Sequence, residues 1–149
     1  MNLLAPSRRA GRTAAVVATA GFAGIAVFEL ALAFGAPLGH AAYGGSTAQL
    51  SAGERAVSVM AVIVWLTAAV VVLGRAGFLA VHRPPELFRR ATWVLVAASA
   101  VAALPNLVSR SPWEQFVFGP TALVLAGLCL VVARSSAGPP SAVLARRVS

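Results

Sequence analysis

Four long apolar stretches divide the sequence, and they constrain its fold more than any other feature. They cover residues 13–36, 56–74, 91–109 and 115–133, and their only charged side chain is Glu29. A helix that crosses the roughly 30 Å hydrocarbon core of a bilayer needs about 20 apolar residues, because it rises about 1.5 Å per residue. None of the stretches alternates polar and apolar residues as a membrane β-strand does. The pattern therefore predicts an all-α bundle of four transmembrane helices.

The composition favours a membrane protein over a water-soluble one. Hydrophobic residues make up 59% of the 149, charged residues make up 11%, and the mean hydropathy is +0.84. Soluble domains contain about 25% charged residues, and a chain this short buries only about two-thirds of its surface. One cysteine and two histidines offer no disulfide and no metal-ligand spacing. Nucleotide-binding and hydrolase motifs are also missing. We therefore expect no enzymatic activity, no metal and no cofactor.

The arginines are distributed unevenly around the four stretches. If both termini and the 75–90 loop share one side of the membrane, that side carries ten arginines and the other carries Arg55 and Arg110. Since Lys and Arg are enriched in cytoplasmic loops, we expect both termini to be cytoplasmic. We expect a basic cytoplasmic N-terminus over 1–12, a four-span domain over 13–134 and a flexible cytoplasmic tail over 135–149. The ten arginines are Arg8, Arg9, Arg12, Arg75, Arg83, Arg89, Arg90, Arg134, Arg146 and Arg147.

Removal of the first stretch as a signal peptide is an alternative to this topology. The basic residues ahead of it and the sequence Ala31-Leu32-Ala33 resemble a signal peptide and its cleavage site. Its apolar run is longer than the usual length of roughly 7–15 residues, and Glu29 lies near its end. We therefore expect the first stretch to remain as a helix.

Two S-x-x-E motifs precede the second and fourth stretches. They are Ser51 with Glu54 and Ser111 with Glu114. In a capping box the serine accepts a hydrogen bond from a free N–H of the first turn, and the glutamate accepts one from the serine N–H. Both motifs predict capped helix N-termini, and Pro112 suits the first helical position.

Small residues predict which helices pack closely in a membrane, because packing rather than hydrophobicity drives association there. They are concentrated in the first and third stretches, so we expect these two helices to be the most closely packed. The second and fourth stretches, rich in Val and Leu, are expected to face more lipid. The small residues are Ala14, Ala18, Gly21, Gly24, Ala97, Ala98, Ala100, Ala102 and Ala103.

Glu29 is the candidate functional residue, because ionisable groups inside a membrane are costly and usually functional. It lies about 10 Å from the end of its stretch at 1.5 Å per residue. Asn106, Arg110, His40 and Tyr43 fall at the same end of the predicted bundle. With Glu29 they form a candidate polar or ligand-binding cluster. The alternative is a structural role, in which Glu29 pairs with Asn106, Ser109 or Arg110. The other residues of the cluster would then belong to ordinary loop packing.

Three short motifs carry a family resemblance. They are Ala36-Pro37-Leu38-Gly39 with Tyr43-Gly44-Gly45, Gly74-Arg75-Ala76-Gly77, and the run from Asn106 to Glu114 that leads into Phe118-Gly119-Pro120. They resemble small four-helix integral membrane proteins of bacteria, above all of actinobacteria. The resemblance covers about residues 28–134 and implies a four-span fold in a bacterial cytoplasmic membrane. It implies no activity, since such families have none assigned.

The position of Glu29 is similar to that of the essential glutamate in the first helix of small multidrug resistance transporters. This resemblance implies a proton-coupled transporter that works as a homodimer, with Glu29 as the proton and substrate site. The chain departs from that family in three respects: the Gly-Thr after the glutamate region, the lysine of the first span, and the aromatic and glycine pattern of the third span are missing.

The sequence as a whole predicts a non-enzymatic integral membrane protein. We expect an accessory subunit, an interaction protein or a small-ligand binder, and the proton-coupled transporter is the alternative. The expected partners are the lipid bilayer and either a second copy or another membrane protein. Nucleic acid is not expected, because the arginines flank apolar segments and are not interleaved with aromatic residues.

Overall fold

The computed structural model describes residues 6–79 and 85–135, and this part of the chain is helical without a β-strand. The first and last segments (1–5 and 136–149) and the segment 80–84 lie outside it, so most of the predicted tail is not described. A π-helical turn at Glu114–Phe118 precedes the fourth helix, and two short 3₁₀ turns lie at Gly39–Ala41 and Tyr43–Gly45. The helices are α1 (Arg8–Ala33), α2 (Ala52–Arg75), α3 (Pro85–Leu107) and α4 (Gly119–Arg134).

The four helices confirm the predicted all-α fold. Each overlaps one apolar stretch, and each is long and apolar enough to cross a membrane when the π turn is counted with α4. The helix α1 begins five residues before the predicted span, because Ser7 caps it through a hydrogen bond from Ala10 N to Ser7 Oγ (3.2 Å).

The outward surface of the bundle is apolar on every helix. Val27, Met60, Val101 and Val124 are each at least 60% exposed, and they lie on α1, α2, α3 and α4 respectively. Water-soluble monomers seldom expose apolar surface on all sides. This surface is suited to lipid contact, as a multi-pass membrane protein requires.

The sequential helices within each half of the chain form the closest pairs, which corrects the packing expected from the sequence. The pairs α1–α2 and α3–α4 make the most extensive contacts, α1 also packs on α4, and α1 and α3 make little contact. Most of the small residues of α1 do pack closely, but against α2 and α4. A Cβ on Gly21 would lie only 2.8 Å from Leu125 of α4, whereas Ala97 and Ala98 of α3 are exposed. The helix α4, expected to face more lipid, is the most enclosed.

The two ends of the bundle are filled differently. We call the end with residues 34–51 and 108–113 the long-loop end, and the end with the start of α1 and the close of α4 the terminal end. The buried apolar core lies toward the terminal end, and its member Phe22 stacks on Trp65 with ring centroids 5.8 Å apart. Its members are Ala14, Ala15, Ala18, Phe22, Ala68, Ala69, Val72, Leu125, Cys129 and Val132.

Only the first of the two predicted capping boxes forms. Glu54 N donates to Ser51 Oγ (3.4 Å), and Ser51 N donates to Glu54 Oε2 (2.8 Å). At the second, Ser111 Oγ instead donates to the His40 carbonyl (2.9 Å). The predicted box is wrong because the 39–45 loop folds over this helix end and offers its own hydrogen-bonding groups to Ser111 and Glu114.

Two arginines supply partners to the carbonyl ends of other helices. Arg55 Nε donates to Ala33 O (2.9 Å) at the end of α1. Arg75 Nη2 donates to Ala133 O (3.3 Å) and Ser135 O (3.0 Å) at the end of α4. The last carbonyls of a helix lack internal partners and carry partial negative charge. Each cation therefore satisfies a helix end and fixes one helix against another.

Replacement of Gly74 by Ala tests the α2–α3 contact. A Cβ at Gly74 would overlap the Phe88 ring, whereas a Cβ at Gly24 meets nothing within 4 Å. We expect Gly74→Ala to lower the free energy of unfolding by about 1–3 kcal/mol through overpacking. The matched control Gly24→Ala is expected to be neutral or to stabilise by up to about 1 kcal/mol. Unfolding by sodium dodecyl sulfate in mixed micelles measures both, and equal stabilities would contradict the close contact.

Candidate ligand cavity

A cavity of about 110 Å³ lies among the four helices, between the apolar core and the long-loop end. Every helix contributes to its wall, and Ala41 and Ala42 of the loop between α1 and α2 also line it. Its polar lining consists of two carboxylates, an amide and a hydroxyl, and the remainder is aromatic or aliphatic. The lining residues from the helices and the π turn are Ile25, Phe28, Glu29, Trp65, Ser99, Ala102, Asn106, Glu114, Phe118, Ala122 and Leu125.

Glu29 lies on the α1 wall, where the sequence placed its main candidate. Its Oε2 atom is buried and has no hydrogen-bond partner among the described residues. Ser58 of α2 faces this carboxylate, but the Ser58 hydroxyl is paired with the Tyr43 hydroxyl at 3.0 Å. Glu29 thus keeps acceptor capacity that the chain itself does not use.

Glu114 is the second carboxylate of the cavity, and sequence reasoning missed it. Its Oε2 accepts hydrogen bonds from Gly44 N (3.1 Å) and from the Ser109 hydroxyl. The S-x-x-E motif gave a sufficient structural explanation for this residue, so no sequence signal marked it as part of a site. Its position depends on the π turn, in which Gly119 N donates to Glu114 O five residues earlier.

Pro120 explains why the helix widens at this point. A proline has no N–H to donate, and its ring clashes with the carbonyl four residues earlier, here that of Phe116. One additional residue in the turn relieves that clash, and such π turns are frequent at functional sites. The widened turn places Glu114 and Phe118 together on the cavity wall.

Asn106 reaches the cavity from α3, which continues through Pro105 to Leu107. Its Nδ2 donates to the Ala102 carbonyl at 2.8 Å. That contact requires the nitrogen to face the carbonyl, so the amide oxygen is left as an acceptor. The helix continues past the proline, and Asn106 contributes an amide oxygen to the site.

Tyr43 joins the cluster indirectly, through Ser58. Its hydroxyl donates to Glu54 O (3.2 Å) and lies 3.0 Å from Ser58 Oγ. The backbone of Tyr43 has φ 51°, which is uncommon for a residue other than glycine. The two contacts of its hydroxyl hold this conformation and fix the loop to α2.

His40 and Arg110 lie outside the cavity lining. The His40 ring is exposed, and its Nδ1 pairs with the Gly45 carbonyl (2.9 Å) within the loop. Arg110 is exposed beside the start of the fourth helix. Of the five residues predicted to form a polar cluster, the fold brings Glu29 and Asn106 together, links Tyr43 to them, and leaves His40 and Arg110 at the surface.

Comparisons of the chain with protein-family models, with curated proteins and with solved structures found no match. The fold and the cavity therefore define the class of protein: a helical chain with four segments suited to crossing a membrane and a small, partly acidic cavity among them.

The pKa of Tyr43 offers a direct test of the site, because this is the chain's one tyrosine. Burial raises the pKa of its phenol, the Ser58 hydrogen bond opposes this, and the negative charges of Glu29 and Glu54 raise the pKa further. We expect tyrosinate absorbance to titrate above the ordinary value of about 10.

The same shift predicts how stability changes with pH. Since folding favours the protonated phenol, the free energy of unfolding should fall as the pH rises above about 10. Tyr43→Phe should remove that dependence. A titration midpoint at or below the ordinary value would contradict the burial of Tyr43 against α2.

Proposed function

We propose that this chain is a multi-pass protein of a bacterial cytoplasmic membrane that binds a small organic cation in the cavity and catalyses no reaction. The observation that carries this proposal is the imbalance of hydrogen-bonding groups in the cavity lining. Its free polar atoms are mainly acceptors, and no cationic side chain lines it.

The acceptors come from three helical walls. They are the Glu29 carboxylate with its unpartnered Oε2, the Glu114 oxygen that does not bind the loop, and the Asn106 amide oxygen. A buried charge requires a partner of opposite charge. A ligand that donates hydrogen bonds and carries positive charge matches this lining.

The aromatic side chains favour an organic cation over a hydrated metal ion. Phe28 and Phe118 lie with ring centroids 5.0 Å apart, and both line the cavity with Trp65. Aromatic faces attract ammonium groups and also accommodate alkyl groups. Among the described residues, no group of three or more His, Cys, Asp or Glu side chains is arranged to hold a metal.

The volume limits the size of the ligand. Cavities for drug-sized ligands measure about 300–1,000 Å³, and an apolar cavity of about 150 Å³ accommodates benzene. At about 110 Å³, the present cavity suits an ammonium ion with a few carbon atoms.

Binding is better supported than transport or catalysis. A transporter needs its site to open to both sides, but the buried core fills the bundle between the cavity and the terminal end. Residues from all four helices of one chain line the cavity around Glu29, which supports a site within a single chain. The lining has no histidine or cysteine to pair with a nucleophile or to act as one.

The arginines support the proposed orientation. Among the described residues, Arg55 and Arg110 lie at the long-loop end, and the other seven lie at or near the terminal end. By the enrichment of Lys and Arg in cytoplasmic loops, the terminal end is cytoplasmic, and the cavity is nearer the external face.

Fluorescence of Trp65 can test the ligand. Trp93 and Trp113 are exposed, so Trp93→Phe with Trp113→Phe leaves Trp65 as the reporter in the cavity wall. We expect tert-butylammonium to change its emission with saturation, and the neutral isostere tert-butanol to bind at least tenfold more weakly. Glu29→Gln should weaken tert-butylammonium binding by roughly tenfold to a hundredfold, since hydrogen bonds to charged groups contribute about 1.5–3 kcal/mol.

Two controls accompany this titration. Glu86→Gln removes an exposed carboxylate near the opposite end of the bundle and should leave binding unchanged. Sodium chloride at equal concentration controls for ionic strength. If no probe binds, the cavity is not a ligand site, and if tert-butanol binds equally well, positive charge does not select the ligand.

Reporter fusions can test the proposed orientation. Alkaline phosphatase fused after Gly45 should be active, because it is folded outside the cytoplasm, whereas a fusion after Arg83 should be inactive. A fluorescent protein that matures in the cytoplasm should give the reverse pattern. The same compartment for both positions would contradict the four-span topology.

A further inference from the structure

A shallow groove runs along the outer surface between α1 and α4. It consists of three depressions that share residues: the first and second share Arg9 and Thr13, and the second and third share Val17 and Leu128. We call this continuous surface the α1/α4 groove. It is separate from the cavity that contains Glu29, although Leu125 lies between the two.

The character of the α1/α4 groove changes along its length. At the terminal end it is lined by Arg8, Arg9, Arg12 and Thr13. Farther along, apart from Thr121, its walls are apolar, with Val17 and Gly21 on one side and Val117, Val124 and Leu128 on the other. One end therefore suits an anion and the remainder suits a hydrocarbon chain.

The length of the groove matches one leaflet of a bilayer. From Arg9 to Gly21 along α1 is twelve residues, or about 18 Å at 1.5 Å per residue. Half of the hydrocarbon core is about 15 Å thick. An acyl chain lying in the groove would thus begin near the arginines and end near the middle of the membrane.

The arginine end carries positive charge that the described part of the chain does not neutralise. The first turn of α1 has no acidic residue, and the ion pair found among residues 6–79 and 85–135 joins Arg89 to Glu86. The positive end of the α1 dipole lies at the same place and adds to this charge. Arg12 lies over the Phe78 ring, with its guanidinium carbon 4.3 Å from the ring centroid. Arg8 and Arg9 are exposed, so they can contact solvent or lipid headgroups.

We propose that the α1/α4 groove binds one anionic phospholipid. Its phosphate pairs with Arg8 and Arg9, and one acyl chain lies between α1 and α4 against Val17, Val124 and Leu128. The occupant is a lipid rather than free phosphate, because the apolar part of the groove continues directly from the arginine end.

Native mass spectrometry of the full chain measures this binding. The protein is released from detergent with equimolar phosphatidylglycerol and phosphatidylcholine, and the lipid retained per chain is counted. We expect one phosphatidylglycerol to be retained in preference to phosphatidylcholine. Arg8→Gln with Arg9→Gln should reduce that preference by at least fivefold, because each arginine near an anionic surface strengthens the attraction by about fivefold.

A matched variant distinguishes lipid binding in the groove from general attraction of anionic lipid to the arginine-rich end of the bundle. Arg90 and Arg134 are exposed arginines near the terminal end that do not line the groove. Arg90→Gln with Arg134→Gln makes the same change in net charge and should leave the retained phosphatidylglycerol unchanged, because neither side chain lines the groove. Equal losses in the two double variants would overturn the proposal.

A second pair of variants tests the acyl chain. Val124 lines the groove and is 60% exposed, and Val101 on α3 is 64% exposed and lies outside it. Val124→Phe fills the groove without crowding the core, so retention of phosphatidylglycerol should fall at least threefold, whereas Val101→Phe should have no effect. Unchanged retention in Val124→Phe, or displacement of the lipid by inorganic phosphate alone, would also overturn the proposal.

Discussion

The need to satisfy backbone polar groups without water governs this molecule. In hydrocarbon an unpaired N–H or C=O costs several kcal/mol, so a chain of this composition forms helices and finds partners for their ends. Arg55 and Arg75 supply these partners to the carbonyl ends of α1 and α4, and Gln115 Nε2 supplies one to Leu107 O of α3. Each of these bonds joins two helices, so the groups that complete the backbone hydrogen bonding also set the arrangement of the bundle.

The cavity results from the same requirement at the long-loop end. The loop between α1 and α2 needs partners for its own backbone, and it takes them from Glu114 and Ser111. The Tyr43 side chain of the same loop pairs its hydroxyl with that of Ser58 on α2. These contacts hold Ala41 and Ala42 over the space between the helices. Small side chains such as Ala102 and Ala122 leave that space open on the sides. Toward the terminal end the bundle is closed by the packed core.

Features that depend on one segment could be predicted from the sequence, and features that depend on two segments could not. Segment composition alone sets the four helices, and neighbouring residues set the Ser51 box. The Ser111 box fails because a loop some seventy residues earlier competes for the same groups. The expected pairing of the first and third helices fails because small residues show that a helix face packs closely, not which helix it meets. Glu29 and Asn106 could be selected as polar residues in apolar segments, whereas Glu114 required the fold.

The π turn before α4 has a consequence for how such a cavity can arise or be lost. An additional residue in one turn rotates everything on one side of it by about 100° relative to the other side. Deletion of one residue among 114–118 would restore regular helical geometry at this turn. The segment that carries Glu114 would then rotate away from Phe118, unless Pro120 kinked the helix instead. One residue inserted or deleted at this turn would thus interchange an acidic cavity and a plain apolar bundle, with the four helices themselves preserved.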